Sequence, residues 1–184
     1  AQREDISISF NRPLTPDVEL DILRIPGVAV AEPFRMVPAR FHSGHLKKEA
    51  GITGRSVAHE LQRIITADGD IIPLPLSGIV ISKFMADHLQ VRRGDRVSVE
   101  ILEGRRPWRE VEIVEVVEDF MGVSAYMEIG QLHRLVGGAR SVSGANVKVA
   151  LGQQEKVSRT LSDLPAVAGV ASPRSTYEIF QKRM

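Results

Sequence analysis

The chain has 184 residues, 43% of them apolar, enough to bury one sizeable core or two small ones joined tightly. Its 24 Lys and Arg balance 23 Asp and Glu, so no bulk field draws it to nucleic acid or to an anionic membrane. No apolar run nears the roughly 18 residues of a membrane span, and the lack of cysteine excludes disulfides and thiolate chemistry while leaving the compartment open.

The chain opens with Ala1, not Met, and enters an alternating strand at 5–10 with no basic or apolar leader pattern before it. A helix is predicted over 16–24. The Pro26-Gly27 turn then feeds an extended stretch over 28–42, and Ser43-Gly44 lets 46–53 return antiparallel as a hairpin. Pro33 and Pro38 predict an edge strand or a bent ribbon there, with an outer edge open to another chain. Residues 60–65 read as a short helix or turn and 67–70 as a loop. Pro73-Leu74-Pro75-Leu76 must be extended, because a residue before proline is pushed out of the helical region.

Next come a strand at 79–81 and a helix N-capped by Ser82, with Phe84, Met85 and Leu89 expected to face inward. A Gly94-Asp95 turn leads into a strand over 97–102, and the 103–107 loop closes a hairpin whose second arm runs over 108–117. A strand at 125–127 enters a helix over 129–136 that stops at Gly137-Gly138. Residues 175–184 read as a helix with no stop signal, either continuing in a longer protein or fraying at a natural end.

The two ends repeat one another. A shift of 139 positions, which carries Pro26 onto Pro165, places Ile8, Phe10, Val18, Ile22, Ile25 and Val28 on Val147, Val149, Val157, Leu161, Leu164 and Val167 without a gap. Each copy reads as strand, helix, turn at Pro, strand. Such a unit bares one apolar sheet face and one apolar helix stripe, so the copies are expected to share a core. The fold class is therefore α+β: a duplicated, split β-α-β module (1–77 plus 139–184) with a small β-rich, barrel-like subdomain inserted at 78–138.

No catalytic, metal or cofactor constellation emerges. His42 and His45 flank a turn, but they lack the further ligands and spacing that zinc needs. The Asp68-Gly69-Asp70 run lacks the bidentate Glu of a calcium loop, and Arg93-Gly94-Asp95 reads as a turn. Glu115, Glu118 and Asp119 read as a solvated strand end, and no serine has a nucleophile-elbow context. Partner contact is what the residues support. Arg105, Arg106 and Trp108, with Arg109, put an aromatic among guanidinium groups at a hairpin tip, a composition enriched in binding hot spots; alternatively Trp108 folds back onto the small barrel. Phe120, Met121, Tyr126 and Met127 form a softer apolar set, suited to acyl chains or helical partners, or simply to the core of the β subdomain.

The run Gly78-Ile79-Val80-Ile81-Ser82, then Ala86, Leu89 and Val91, Gly94-Asp95-Arg96-Val97, 117–120, Ala125-Tyr126-Met127-Glu128, Leu132 and Leu135 resembles the extracytoplasmic domain of FtsX-like (MacB-type) ABC transporter permeases. The resemblance covers nearly the whole chain, most closely 78–135. It implies a split porter-like α/β module interrupted by a β-rich subdomain, standing outside the cytoplasm between the first two membrane helices of a parent in the cell membrane. It also implies a cytoplasmic ABC ATPase subunit, a second permease copy, and a lipid, lipoprotein or peptide substrate or an envelope partner. The chain has no Gly-x-x-x-x-Gly-Lys-Ser/Thr phosphate loop, so it is not the ATPase, and no enzymatic turnover is expected of it. Two other readings stand beside this one: a freestanding binding or chaperone module of the cell envelope using the hairpin edge over 28–53, and a hydrolase or metal enzyme.

Overall fold

A computed structural model of the chain describes residues 5–57, 64–65, 70–118 and 124–172. In chain order the described elements are β1 (Ile6–Leu14), α1 (Val18–Leu23), β2 (Val28–Ser43), β3 (Leu46–Arg55), β4 (Ile64–Ile65), β5 (Ile71–Ile72), β6 (Ile79–Ser82) and α2 (Lys83–Leu89). They continue with β7 (Arg96–Ile101), β8 (Trp108–Val117), β9 (Ala125–Glu128), α3 (Ile129–Val136), β10 (Val142–Val149), α4 (Gln154–Ser162) and β11 (Val167–Ala171). The helix expected over 175–184, most of the expected 60–65 helix and Asp68 of the 67–70 loop lie outside the described residues.

Among the described residues the chain divides into two units, 5–34 with 140–172, and 35–57 with 64–65, 70–118 and 124–139. In the first, the two sequence copies form one antiparallel sheet ordered β11-β1-β10-β2, a split β-α-β arrangement. The 139-residue offset is a local twofold relation. Ile6 faces Val147 and Ile8 faces Ala145, two pairs that the offset exchanges, while Ser7 faces Asn146, its own equivalent. The turns match bond for bond: Ile25 and Val28 N–H groups donate to the Ile22 and Ile25 carbonyls, and Leu164 and Val167 donate to Leu161 and Leu164. Each copy also donates to the other's turn, Asn11 N–H to the Ala166 carbonyl at 3.0 Å and Ala150 N–H to the Gly27 carbonyl at 2.7 Å. Ile6, Ile8, Ile22, Val147, Val157 and Leu161 fill the shared core, as an apolar helix stripe on an apolar sheet face requires.

The second unit is a closed barrel. The later part of β2 pairs with β3, and the order runs on through β9, β6 and β8 to β7, which returns to β2 through the pairs from Ala39 and Ile101 to His42 and Ser98. Closure leaves alternate residues inside. Val37, Ala39, Phe41, Ile52, Val97, Val99, Ile101 and Ile113 are fully or almost fully buried, and each large apolar side chain so buried contributes about 1.5–3 kcal/mol relative to exposure. Helix α2 begins where expected, with Ser82 Oγ accepting the Met85 N–H at 3.3 Å. Helix α3 is capped by a residue the sequence reading passed over, Glu128, whose carboxylate accepts the Gly130 and Gln131 N–H groups at 2.9 and 2.7 Å.

Several expectations change. The hairpin portion 35–55, assigned from sequence to the α/β module, belongs to the barrel, so the division falls after Phe34 rather than at 78. Strand β2 is paired along its length, with β10 over 28–34 and β3 over 35–43, but on both sides only over 39–42, where β7 joins; over 28–38, where both prolines lie, it keeps the edge character expected of them among the described residues. Its prolines are tolerated because they sit where the ladder asks only for a carbonyl, and the Pro38 carbonyl accepts the Leu102 N–H at 2.9 Å. Ile64–Ile65 pairs antiparallel with Ile71–Ile72 instead of forming a helix. Phe84 points outward, with the Lys48 ammonium 5.5 Å from its ring centroid, while Met85 and Leu89 do face inward. Among the described residues no helix is long and apolar enough to cross a membrane.

Candidate contact surface on the barrel

The alternation that buries Phe41 and Val99 turns their neighbours outward, so register alone lines up Glu49, Arg40, Glu100 and Trp108 across β3, β2, β7 and β8. Glu100 is the hub. Its Oε2 accepts from Arg40 Nη1 at 3.1 Å and its Oε1 lies 3.4 Å from Arg106 Nη2, while Arg40 also donates to Glu49 through Nη2 at 2.5 Å and Nε at 3.2 Å. Trp108 stays about half exposed, its ring 4.5 Å from that of His42 in a tilted stack. The tryptophan thus lies along the outside of the barrel, supported from one side and open on the other.

The loop that carries these groups is firmly built. Ile101 N–H donates to the Pro107 carbonyl at 3.0 Å, Arg106 N–H to the Glu103 carbonyl at 3.1 Å, and the Glu103 carboxylate accepts from Arg35 Nη2 at 2.7 Å. Arg35 is buried and its Nη1 has no hydrogen-bond partner. Sequence reading missed Arg35, Arg40 and Glu100 because each looks like an ordinary strand charge until the barrel closes. Arg105 and Arg109 are exposed and have no carboxylate partner among the described residues, so the tip offers two uncommitted cations beside an aromatic face.

The second predicted set comes apart. Phe120 and Met121 lie outside the described residues. Met127 points into the barrel and is fully buried, so it is core and not contact surface; the strand's period of two separates it from Tyr126. Tyr126 packs against Leu74, Val80 and Val117 under the Arg55 guanidinium, 4.6 Å from its ring centroid, on β9, separated by β6 from β8, which carries Trp108 at its start. It does not join Trp108. Among the described residues no three His, Asp or Glu side chains gather to hold a metal ion. Both Glu100 oxygens are taken by guanidinium groups, which suits an anchor and not a proton carrier.

Glu49 is held below the ordinary carboxylate range, first by its hydrogen bond from Arg40 and then by that cation's charge, and Arg40 is raised in return. A carboxylate lowered in the folded state stabilises it above the unfolded pKa, and the gain fades as pH falls through the folded value. Glu49→Gln is therefore expected to flatten the acid side of the melting-temperature profile slightly and leave neutral pH nearly unchanged, because the pair is exposed. An unaltered acid slope in thermal melts from pH 7 to pH 2 would count against the Arg40 contact.

No family model and no curated protein matches the sequence. Solved structures do match its fold. The extracellular domain of the ABC-type transporter YknZ from Gram-positive bacteria superposes with a TM-score of 0.61 at 14% identity, covering 90% of this chain and 99% of that domain. The chain shares the fold of that transporter's extracellular domain. The periplasmic region of MacB from Actinobacillus actinomycetemcomitans gives a TM-score of 0.58 at 10% identity, over 97% of this chain and 92% of that region. Each match spans both the split β-α-β sheet and the barrel, and the Trp108 hairpin is part of the barrel wall.

Proposed function

We propose that this chain is the extracytoplasmic domain of an ABC transporter permease that carries ATP-driven motion to a substrate or an envelope partner. The observation that carries the reading is the pairing of a split β-α-β sheet with a closed barrel through the single strand β2, matched almost end to end by the YknZ extracellular domain. The chain has no nucleotide-binding loop, so the motion comes from a separate cytoplasmic ATPase acting on the parent permease, which pairs with a second permease copy. The domain itself performs no chemistry. Its substrate is a lipid, lipoprotein or peptide, and Arg105, Arg106 and Trp108 supply contact to it or to a partner. The freestanding-module reading is not favoured, because the hairpin it would use is built into the barrel, with β2 paired on both sides over 39–42.

The absence of cysteine makes the topology testable. Leu151 is fully exposed, and Leu151→Cys in the full-length parent, otherwise freed of cysteine, is expected to react with a membrane-impermeant maleimide in intact cells or after permeabilising only an outer membrane. Labelling that begins only after lysis of the inner membrane would defeat the proposal.

A further inference from the structure

The two copies of the first unit differ around one turn, and a groove lies there. In the second copy the partner turn closes down on α4: a Cβ at Gly27, where φ is +95°, would lie 2.8 Å from Val157 Cγ2 and 3.1 Å from Gln153 Cβ. The equivalent turn position in the first copy is Ala166, facing Val18 and Leu14 in place of Val157 and Gln153. Its methyl cannot make that approach. Strand β1 also runs on to Leu14, whereas β10 stops at Val149, the equivalent of Phe10, and α1 has six residues against nine in α4. Between α1 and the 164–167 turn a cleft of about 370 Å³ remains, walled by Phe10, Leu14, Val18, Ile22, Leu164 and Val167.

The charge around it is one-sided. Asp17 and Asp21 are the only ionisable groups lining the cleft among the described residues. Asp17 accepts from the Thr15 hydroxyl and has no cationic partner among the described residues, and the Asp21 pair with Arg24 is long, 3.9 Å, and solvated. The outer face of α1 continues the apolar surface with exposed Leu20 and Leu23, at positions where α4 carries Arg159 and Ser162. A fatty acid or an anionic headgroup would meet carboxylates at this rim.

We propose that the α1 groove docks a partner peptide by one or two apolar side chains flanked by Lys or Arg, with Asp17 and Asp21 pairing the cations and Leu20 and Leu23 extending the contact. The site lies in the split β-α-β unit, away from the Trp108 hairpin in sequence and in unit, and does not depend on the transporter reading.

The probe is a short amphipathic Leu/Lys peptide, titrated into methyl-labelled protein with a Leu/Glu peptide of the same pattern and lauric acid as parallel arms. The expected result is saturable shifts at Leu14, Val18, Ile22 and Val167 with Leu/Lys alone. Asp17→Asn with Asp21→Asn, which removes no helix cap because the Asp17 side chain makes no capping hydrogen bond, is expected to weaken binding about tenfold, the loss of two rim charges. Ala166→Gly, which removes the methyl that holds the turn away, is expected to weaken it as well. Equal binding of the Leu/Glu peptide, binding of lauric acid at the same methyls, or indifference to the Asp substitutions would each overturn the proposal. So would binding seen only after deletion of residues 173–184, since the chain's own segment would then be the occupant. Amide spectra of the variants separate lost binding from lost fold.

Discussion

Gly144→Val is expected to unfold the split β-α-β unit. A Cβ at Gly144 would lie 2.2 Å from the Ile8 carbonyl oxygen and 2.6 Å from Phe34 Cζ. The ring can turn aside, but the carbonyl is backbone in the neighbouring strand β1 and cannot yield without parting the sheet. Forced overpacking typically costs about 1–3 kcal/mol, and a clash with backbone places this case at the upper end of that range. Gly51→Ala is the control, because its Cβ would meet Met36 Cγ at an ordinary 3.6 Å. Native-state hydrogen exchange is the measurement: amides of β1 and β10 are expected to lose protection in Gly144→Val while Gly51→Ala stays near wild type. Full protection of β1 in the valine variant would show that the close approach is not real.

The second large effect is expected from Glu103→Ala. The Arg35 guanidinium is almost wholly buried, and Glu103 is its one ionic partner among the described residues, at 2.7 Å. Removing one member of such a pair leaves a buried charge uncompensated, which costs about 3–5 kcal/mol for fully buried pairs. Glu103 is itself more than a third exposed, so water can partly replace it and the low end of that range applies. The double variant Arg35→Met with Glu103→Gln is expected to recover most of the loss, since it removes the charge along with its partner. Urea unfolding followed by Trp108, the only tryptophan, reads the barrel directly. A single variant as stable as wild type would mean that the pair does not anchor the loop. The consequence reaches the contact surface, because the same loop presents Arg105, Arg106 and Trp108.

These effects also mark where the sequence was readable. The duplication was legible because helix stripes and strand alternation are local periodicities, and the 139-residue offset in apolar residues reappears as matched turns and exchanged hydrogen bonds. Helix α3 was legible to the residue, its end marked by Gly137-Gly138. Phe84 was misplaced because it sits next to two inward residues, Met85 and Ala86, on a helix of seven, too short for periodicity to fix the boundary of the buried face. Tyr126 and Met127 were read as one patch although strand geometry sends neighbours to opposite faces.

The contact surface was half legible. A tryptophan among arginines at a hairpin tip is a local signal. Its support is not: Arg40 comes from β2, Glu49 from β3 and Glu100 from β7, and no spacing along the chain announces that they meet. The groove beside α1 was equally hidden, because it follows from a methyl at Ala166 where the other copy has Gly27, together with a longer β1 and a shorter α1.

By itself the sequence determined most of the described strands and helices, and that its ends are two copies of one unit. Only the tertiary structure decided that β2 leaves the sheet after Phe34 to enter a barrel, and that β7 closes that barrel against it. The reason is physical. Periodicity records which face of an element is apolar, whereas the choice of partner strand depends on pairings between residues far apart in the chain, such as Arg40 with Glu100, whose free energy exists only once every intervening strand is in place.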